Sequence, residues 1–387
     1  MKKNLLLIPL LFSALYVNAE EVTTTINNIN YAADSECTTA VVAQSKNATG
    51  DVVIPETVEI DGKTFTVTEL AKQAFMSSAL KGTTITSVVL PGTVTIIGEK
   101  AFNSCTELKS VNIPEGVTEL GTNMFNKCEA LETIALPSTL ETLGNNAFKG
   151  CKELTEISLP ENLTSIGLNC FQNCSKLASV QLPSGITELG GNIFNGCVAL
   201  ENIDIPASVT KIGDGTFDNT GFKTIALPAG LTELGQAFGN CDLLTSIVIP
   251  DGVAEIQGST FNKCTALESV TFGTGVTDIN DMAFNQCTAI KSVTVKAVTP
   301  PTLAAGAFPA SIFTDAKLFV PDANIEAYKA ADVWKNFGEV ANAIEVVAGE
   351  KTVVESYTIT GNKVHENYRG VVIVRYSNGS VAKQVRR

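Results

Sequence analysis

Histidine and tryptophan are almost missing from this chain. Its 387 residues hold one of each, His365 and Trp334. A single histidine excludes a Ser-His-Asp triad in the body of the chain and any two-histidine metal site. Charged residues make up only 17% and aromatic residues 6%, against 44% hydrophobic. That balance is too apolar for a disordered protein. Cations are the scarcer charge, with 27 Lys and Arg against 40 Asp and Glu, for a net charge of −13. Binding to nucleic acid is disfavoured, because neutralising phosphates needs clustered cations. There is no Walker loop, GxGxxG, GxSxG or HExxH, and no CxxC pair. No cofactor is expected. Apolar runs of membrane-spanning length are also missing, since a span needs about 20 residues. The run from Leu5 to Val17 is shorter, follows Lys2 and Lys3, and precedes a small residue, Ala19, ahead of Glu20-Glu21. Residues 1–19 therefore read as a secretory signal peptide, which leaves a mature chain without a transmembrane segment.

What the chain has in abundance is repetition. Phenylalanines stand at Phe102, Phe125, Phe148, Phe171, Phe194 and Phe217, each 23 residues after the last, and continue at Phe238, Phe261, Phe284 and Phe308. Prolines keep the same step from Pro91 to Pro206. One unit reads Leu108, Val111, Ile113-Pro114, Val117, Leu120-Gly121, Phe125, Cys128. Leu108, Val111 and Ile113 have the spacing of a short inward-facing strand, and Pro114 ends it because it has no N–H to continue a ladder. Val117 and Leu120 point inward from a second short extended piece, and Gly121 permits the turn after it. Phe125 and Cys128, three apart, fit one side of a single helical or 3₁₀ turn. No unit can bury its apolar face alone. About ten rungs, stacked roughly 4.8 Å apart, bury a continuous core along an arc of about 50 Å.

The segment Ala101-Phe-Asn-Ser-Cys105-Thr-Glu-Leu108, continuing through Ile113-Pro114 to Val117-Thr-Glu-Leu120-Gly121, resembles the leucine-rich repeat of the BspA-like, or Treponema-type, bacterial surface proteins. The pieces Thr299-Pro-Pro-Thr-Leu303, Leu318-Phe-Val-Pro321 and Tyr328 to Phe337 are similar to the closing unit of that family. The resemblance implies a leucine-rich-repeat solenoid, of α/β character with short strands and helical or 3₁₀ turns. It has about ten 23-residue rungs, a β cap at the N-terminus and a small β module at the C-terminus. On this reading residues 20–69 form the cap, with strand-like runs at Ala40 to Ala43, Val52 to Ile54 and Phe65 to Val67. Residues 70–347 form the solenoid, whose closing unit starts near residue 297, and Trp334 and Phe337 plug the last rung. Residues 348–387 form the β module, with hairpin chemistry at Asn378-Gly379. That tail carries seven cations against three glutamates. Its pieces Tyr357 to Val364 and Arg369 to Val374 are similar to type IX sorting tails of Gram-negative anaerobes. A plain β cap is the alternative.

Eight cysteines share one repeat position: Cys105, Cys128, Cys151, Cys174, Cys197, Cys241, Cys264 and Cys287, with Thr220 there once. Secretion alone would suggest disulfides. Translated copies, however, hold their Cβ atoms about 4.8 Å apart on parallel vectors, and a disulfide wants about 3.8 Å and convergence. Buried free thiols acting as small hydrophobes are therefore expected. Cys170 stands outside the series.

The outward positions of the first strands should line the concave side, mostly with small hydroxyl-bearing residues. Asn112, Glu156, Gln181, Asn202 and Asp204 are the polar exceptions and form the candidate binding face. Glu156 and Asp204 lie two rungs apart with no apolar pocket to tune either as a general acid, so catalysis is not expected. An acidic stripe at Glu119, Glu188, Glu233, Glu255 and Asp278, broken by Lys211, belongs on the other side. The resemblance implies a secreted or outer-surface protein of a Gram-negative bacterium, adhesin-like, whose partner is an extracellular or surface protein. A glycan partner and a structural spacer are the alternatives.

Overall fold

A computed structural model describes residues 20–77 and 84–343, and the strands Val353–Thr358, Lys363–Val364, Gly370–Tyr376 and Val381–Arg386. The signal-like segment 1–19, His365 and the Asn378-Gly379 turn lie outside the described residues. The chain divides into two compact units, Met1–Cys170 and Phe171–Arg387.

In the first unit an antiparallel hairpin, Glu21–Ile26 with Ile29–Asp34, opens the sheet. Its two-residue loop, Asn27-Asn28, has positive φ at both positions (51° and 64°), and Asp61-Gly62 repeats the device between Ile60 and Lys63. Both loops give the twist that matches paired strands, and Asn, Asp and Gly tolerate it best. The strand Lys63–Leu70 joins this sheet to the rungs, pairing parallel with Ile96–Ile97. The strand Thr49–Val53 likewise pairs parallel with Thr84–Val89, which pairs with Ser110–Val111. The stacking therefore begins two strands earlier than the phenylalanine step shows.

Parallel stacking also carries past the phenylalanine step in the second unit. Ser246–Val248, Ser269–Phe272 and Ser292–Val295 form a parallel ladder that continues through Lys317–Val320 to Glu339–Asn342. About 13 turns result, against the ten counted from the repeat. Trp334 is fully buried among these last rungs, donating from Nε1 to the Pro301 carbonyl at 2.7 Å and stacking on Phe337. Residues 353–386 hold an antiparallel sheet in which Val353–Thr358 and Val381–Arg386 flank Gly370–Tyr376.

Each rung carries a second, two-residue strand, such as Glu119–Leu120 on Thr142–Leu143 on Ser165–Ile166. The phenylalanine segment departs from the expected helical turn. It is a series of i→i+3 turns, Met124 N to Gly121 O and Cys128 N to Phe125 O, whose third residues Asn123 and Lys127 are left-handed at φ 57° and 62°. The same two places recur as Asn146 and Gly150, and in the second unit as Asn192 and Gly196. Their N–H groups reach the next rung: Asn123, Phe125 and Lys127 donate to the carbonyls of Asn145, Ala147 and Lys149. A helical turn would have directed these groups along its own axis. Turns leave them free to form a third ladder.

Gly121 also departs from the role expected of it. Neither it nor Gly144 has positive φ, but a Cβ at Gly144 would sit 2.6 Å from the Thr122 nitrogen. Glycine at 144 lets neighbouring rungs approach, whereas a Cβ at Gly121 would meet nothing nearer than Glu99 Cγ at 3.4 Å. Behind the turns the phenylalanines stack almost parallel, with Phe102–Phe125 at 5.2 Å and 6° in the first unit. In the second, Phe171–Phe194 lie at 5.6 Å and 4°.

Candidate binding faces

Parallel register puts equivalent residues of neighbouring rungs side by side, so each strand face is an array of columns. In the first unit one column runs Asp51, Ser87, Ser110, Thr133, Glu156. A second runs Val53, Val89, Asn112, Ala135, Ser158. Val88, Val111 and Ile157 between them are buried, which fixes the columns as outward.

Asn112 is not available as a polar prominence. Its Oδ1 accepts the Leu90 N–H at 2.7 Å and its Nδ2 donates to the Leu90 carbonyl at 2.9 Å, so both ends of the amide are held by the previous rung. Asp51 is held too, since its Oδ1 accepts from Thr86 and Ser87 hydroxyls at 2.8 and 2.7 Å. Those donors keep its carboxyl below the usual carboxylate range. Glu156, by contrast, is exposed and makes no hydrogen bond or ion pair among the described residues. It stands on the rim of a groove of about 330 Å³ formed by Thr133 to Leu136 and Glu156 to Ser158. Ala135 bridges to Asn112 on one side, but the ladder does not continue from it to Glu156–Ser158. The groove marks that interruption. Val53 and Val89, paired across adjacent rungs, are 70% and 50% exposed. Sequence reading missed Val53, although Ile54-Pro55 after it repeats the Leu90-Pro91 signature after Val89.

In the second unit Gln181 bridges in parallel to Asp204, and Asn202 precedes Asp204 by two on the same strand; all three are exposed. They are neighbours on one face. Farther along, Ser246, Ser269 and Ser292 align in one column and Val248, Thr271 and Thr294 in the next. Phe319, paired with Thr294, adds an aromatic residue to that face.

The stripe on the second strands is broken by Lys211, as its sequence reads. Glu188, Lys211 and Glu233 are successive neighbours, and Lys211 Nζ pairs with Glu233 at 2.9 Å. A groove of about 490 Å³ runs beside them, lined also by Asp214, Gly235 and Glu255. Nearby, Asp218 accepts the Gly239 N–H at 2.7 Å, yet burial pushes its carboxyl up to about 6, with help from Asp214.

No disulfide joins the ten cysteines, nine of which are buried and one, Cys37, half-buried. The repeat thiols are donors as well as small hydrophobes. Cys128 Sγ donates to the Phe102 carbonyl at 3.0 Å, Cys151 to Phe125 at 3.2 Å, and Cys264 to Phe238 at 3.1 Å. Thr220 keeps the donor, giving its hydroxyl to Phe217 at 2.8 Å. Burial raises the Cys128 thiol, and raises Cys197 to about 12. Among the described residues no group of three or more His, Cys, Asp or Glu could hold a metal ion.

Comparison with known proteins agrees with this geometry. The model of the BspA type leucine rich repeat region matches residues 72–201 and 187–311, in six copies, which together span more than half the chain. A leucine-rich repeat protein from Bacteroides ovatus is similar at 28% identity, over 79% of this chain and 96% of its own, with a TM-score of 0.57. A leucine-rich repeat protein of T. pallidum shares 31% identity over 51% of this chain and 88% of its own, with a TM-score of 0.44. A leucine rich cell surface protein from Faecalibacterium prausnitzii shares 25% over 70% and 94%, with a TM-score of 0.38. No curated protein matches the chain significantly. A ladder of short strands, a stacked phenylalanine column, a matching repeat model and a full-length structural relative lead to one assignment: the chain belongs to the BspA-type leucine-rich-repeat family.

Proposed function

We propose that the mature chain is a secreted or surface-displayed protein of a Gram-negative bacterium that works by binding, in an adhesin-like way, to an extracellular or surface protein. It needs no cofactor and performs no catalysis. The observation that carries this reading is the strand face of each unit, a regular lattice of short side chains that is open to a large partner. Glu156 stands free on the first lattice, and Gln181 and Asp204 lie side by side on the second. Supporting it are the family, the signal-like residues 1–19, and the absence among described residues of any helix long and apolar enough to cross a membrane. The tail from residue 348 is proposed as a sorting module, so deleting it should retain the protein inside the cell.

The test is capture of surface and matrix proteins on the immobilised mature chain, in parallel with a glycan array. Glu156→Lys probes the first unit and the pair Gln181→Lys and Asp204→Lys the second. Loss of capture in one variant with an unchanged melting temperature supports the reading; capture by neither the parent chain nor its variants contradicts it. Glycan binding is the second reading, and its one foothold is Phe319 beside Thr294, an aromatic platform of the kind sugars stack on.

A further inference from the structure

We infer that the strand face of the first unit recognises an extended polypeptide segment carrying an apolar residue and a basic residue about four positions apart. The inference rests on the binding reading above and deepens it by naming the ligand class and its contacts. Four observations carry it. Val53 and Val89 form an exposed apolar pair on adjacent rungs, and the next outward positions of that column within the first unit are Asn112, Ala135 and Ser158. Three rungs beyond Val89, Glu156 offers a carboxylate with no partner among the described residues. The groove beside Glu156 lies where the strand pairing between two rungs is interrupted, with the Thr133 and Ser158 hydroxyls at hand. Finally, no cation stands in either column: Asp51, Ser87, Ser110, Thr133 and Glu156, or Val53, Val89, Asn112, Ala135 and Ser158.

Charge and spacing choose the occupant. A face that is acidic at its only charged positions attracts a cation, and the free one is Glu156, because Asp51 is already held by Thr86 and Ser87. Three rungs at ~4.8 Å separate the valine pair from Glu156 by about 14 Å, which four residues of extended chain cover at ~3.4 Å each. A sugar would want an aromatic platform, and these columns have none.

The test is selection from a displayed library of random nine-residue peptides on the full mature chain. Selected peptides should share an apolar residue three to five positions from Lys or Arg, and affinity should fall at least tenfold for Glu156→Lys and for Val53→Ser with Val89→Ser. Circular dichroism and melting of each variant exclude misfolding, and Glu156→Gln, which is nearly isosteric, should give a smaller loss. Selected peptides that bind all variants equally overturn the site. Failure to select any peptide overturns the ligand class. Capture of intact surface proteins, measured separately, distinguishes either failure from failure of the binding reading itself.

Discussion

The Cys264 thiol donates a hydrogen bond to the carbonyl of Phe238 on the preceding rung, 3.1 Å away. The relationship recurs from Cys128 to Phe102 and from Cys197 to Phe171, so the thiol ladder and the ring column are one structure. Replacing Cys264 by Ala should cost about 1–3 kcal/mol, since it leaves a buried carbonyl with only the longer bond from the Cys241 N–H at 3.4 Å and removes packed volume. Ser, which restores the donor, should cost less. Chemical denaturation of the two variants measures the difference, and equal losses would assign the thiol to packing alone.

The thiols should also be reduced and unreactive in the folded protein. Burial raises Cys197 to about 12, so its thiolate is scarce at neutral pH. Alkylation followed by mass spectrometry should label Cys37 readily, and the repeat cysteines only after denaturant is added. Most cysteines found oxidised before reduction would contradict the ladder.

Phe194 lies between Phe171 and Phe217 at 5.6 and 5.9 Å. Phe194→Ala should cost roughly 3–5 kcal/mol by opening a mid-array cavity. Gln181→Ala, on the exposed face, should cost under about 0.5 kcal/mol. Similar losses at both would mean that inside and outside had been exchanged.

How much of this was readable beforehand follows from what a repeat reveals. Phe, Pro and Cys recur because every rung places them in the same buried or terminal setting, so the solenoid was legible from spacing. Thr49–Val53 and Lys317–Val320 were not seen as rungs because insertions break the 23-residue step, although Ile54-Pro55 and Val320-Pro321 carry the strand-ending signature. Asn112 was counted as free because its partner, Leu90, is 22 residues earlier and meets it only once the ladder is in register. The left-handed turns at Asn123, Asn146 and Asn192 were written in the sequence as recurring asparagines. The assumption of a helical turn hid them.

Those asparagines give a backbone prediction. Asn146→Gly should be close to neutral, while Asn146→Val should cost about 1–2 kcal/mol or more, because a β-branched residue resists φ near 57°. Thermal melts of the two variants decide it, and a tolerated valine would show that the turn can rearrange.

Asp218 supplies a pH dependence. Burial first, and Asp214 after it, raise its carboxyl to about 6 from an ordinary 3.8, so the fold favours the protonated acid. Stability from this site is present at low pH and is lost as pH rises from about 4 through about 6. Asp218→Asn keeps an oxygen for the Gly239 N–H and removes the charge. Its melting temperature should exceed the parent's at about pH 8 and match it at about pH 3.5. The reverse order would mean that the carboxylate is stabilised in the fold.

The central claim is that the strand faces are the contact surfaces, and hydrogen exchange on the chain with and without a captured partner protein tests it most directly. Added protection should fall on Ser110–Val111 and Glu156–Ser158 if the partner sits on the first unit, or on Ser179–Gln181 and Asp204 if it sits on the second. Protection confined to the second strands, such as Glu119–Leu120 and Lys211–Ile212, or to the turns bearing Phe125 and Phe194, would contradict the account.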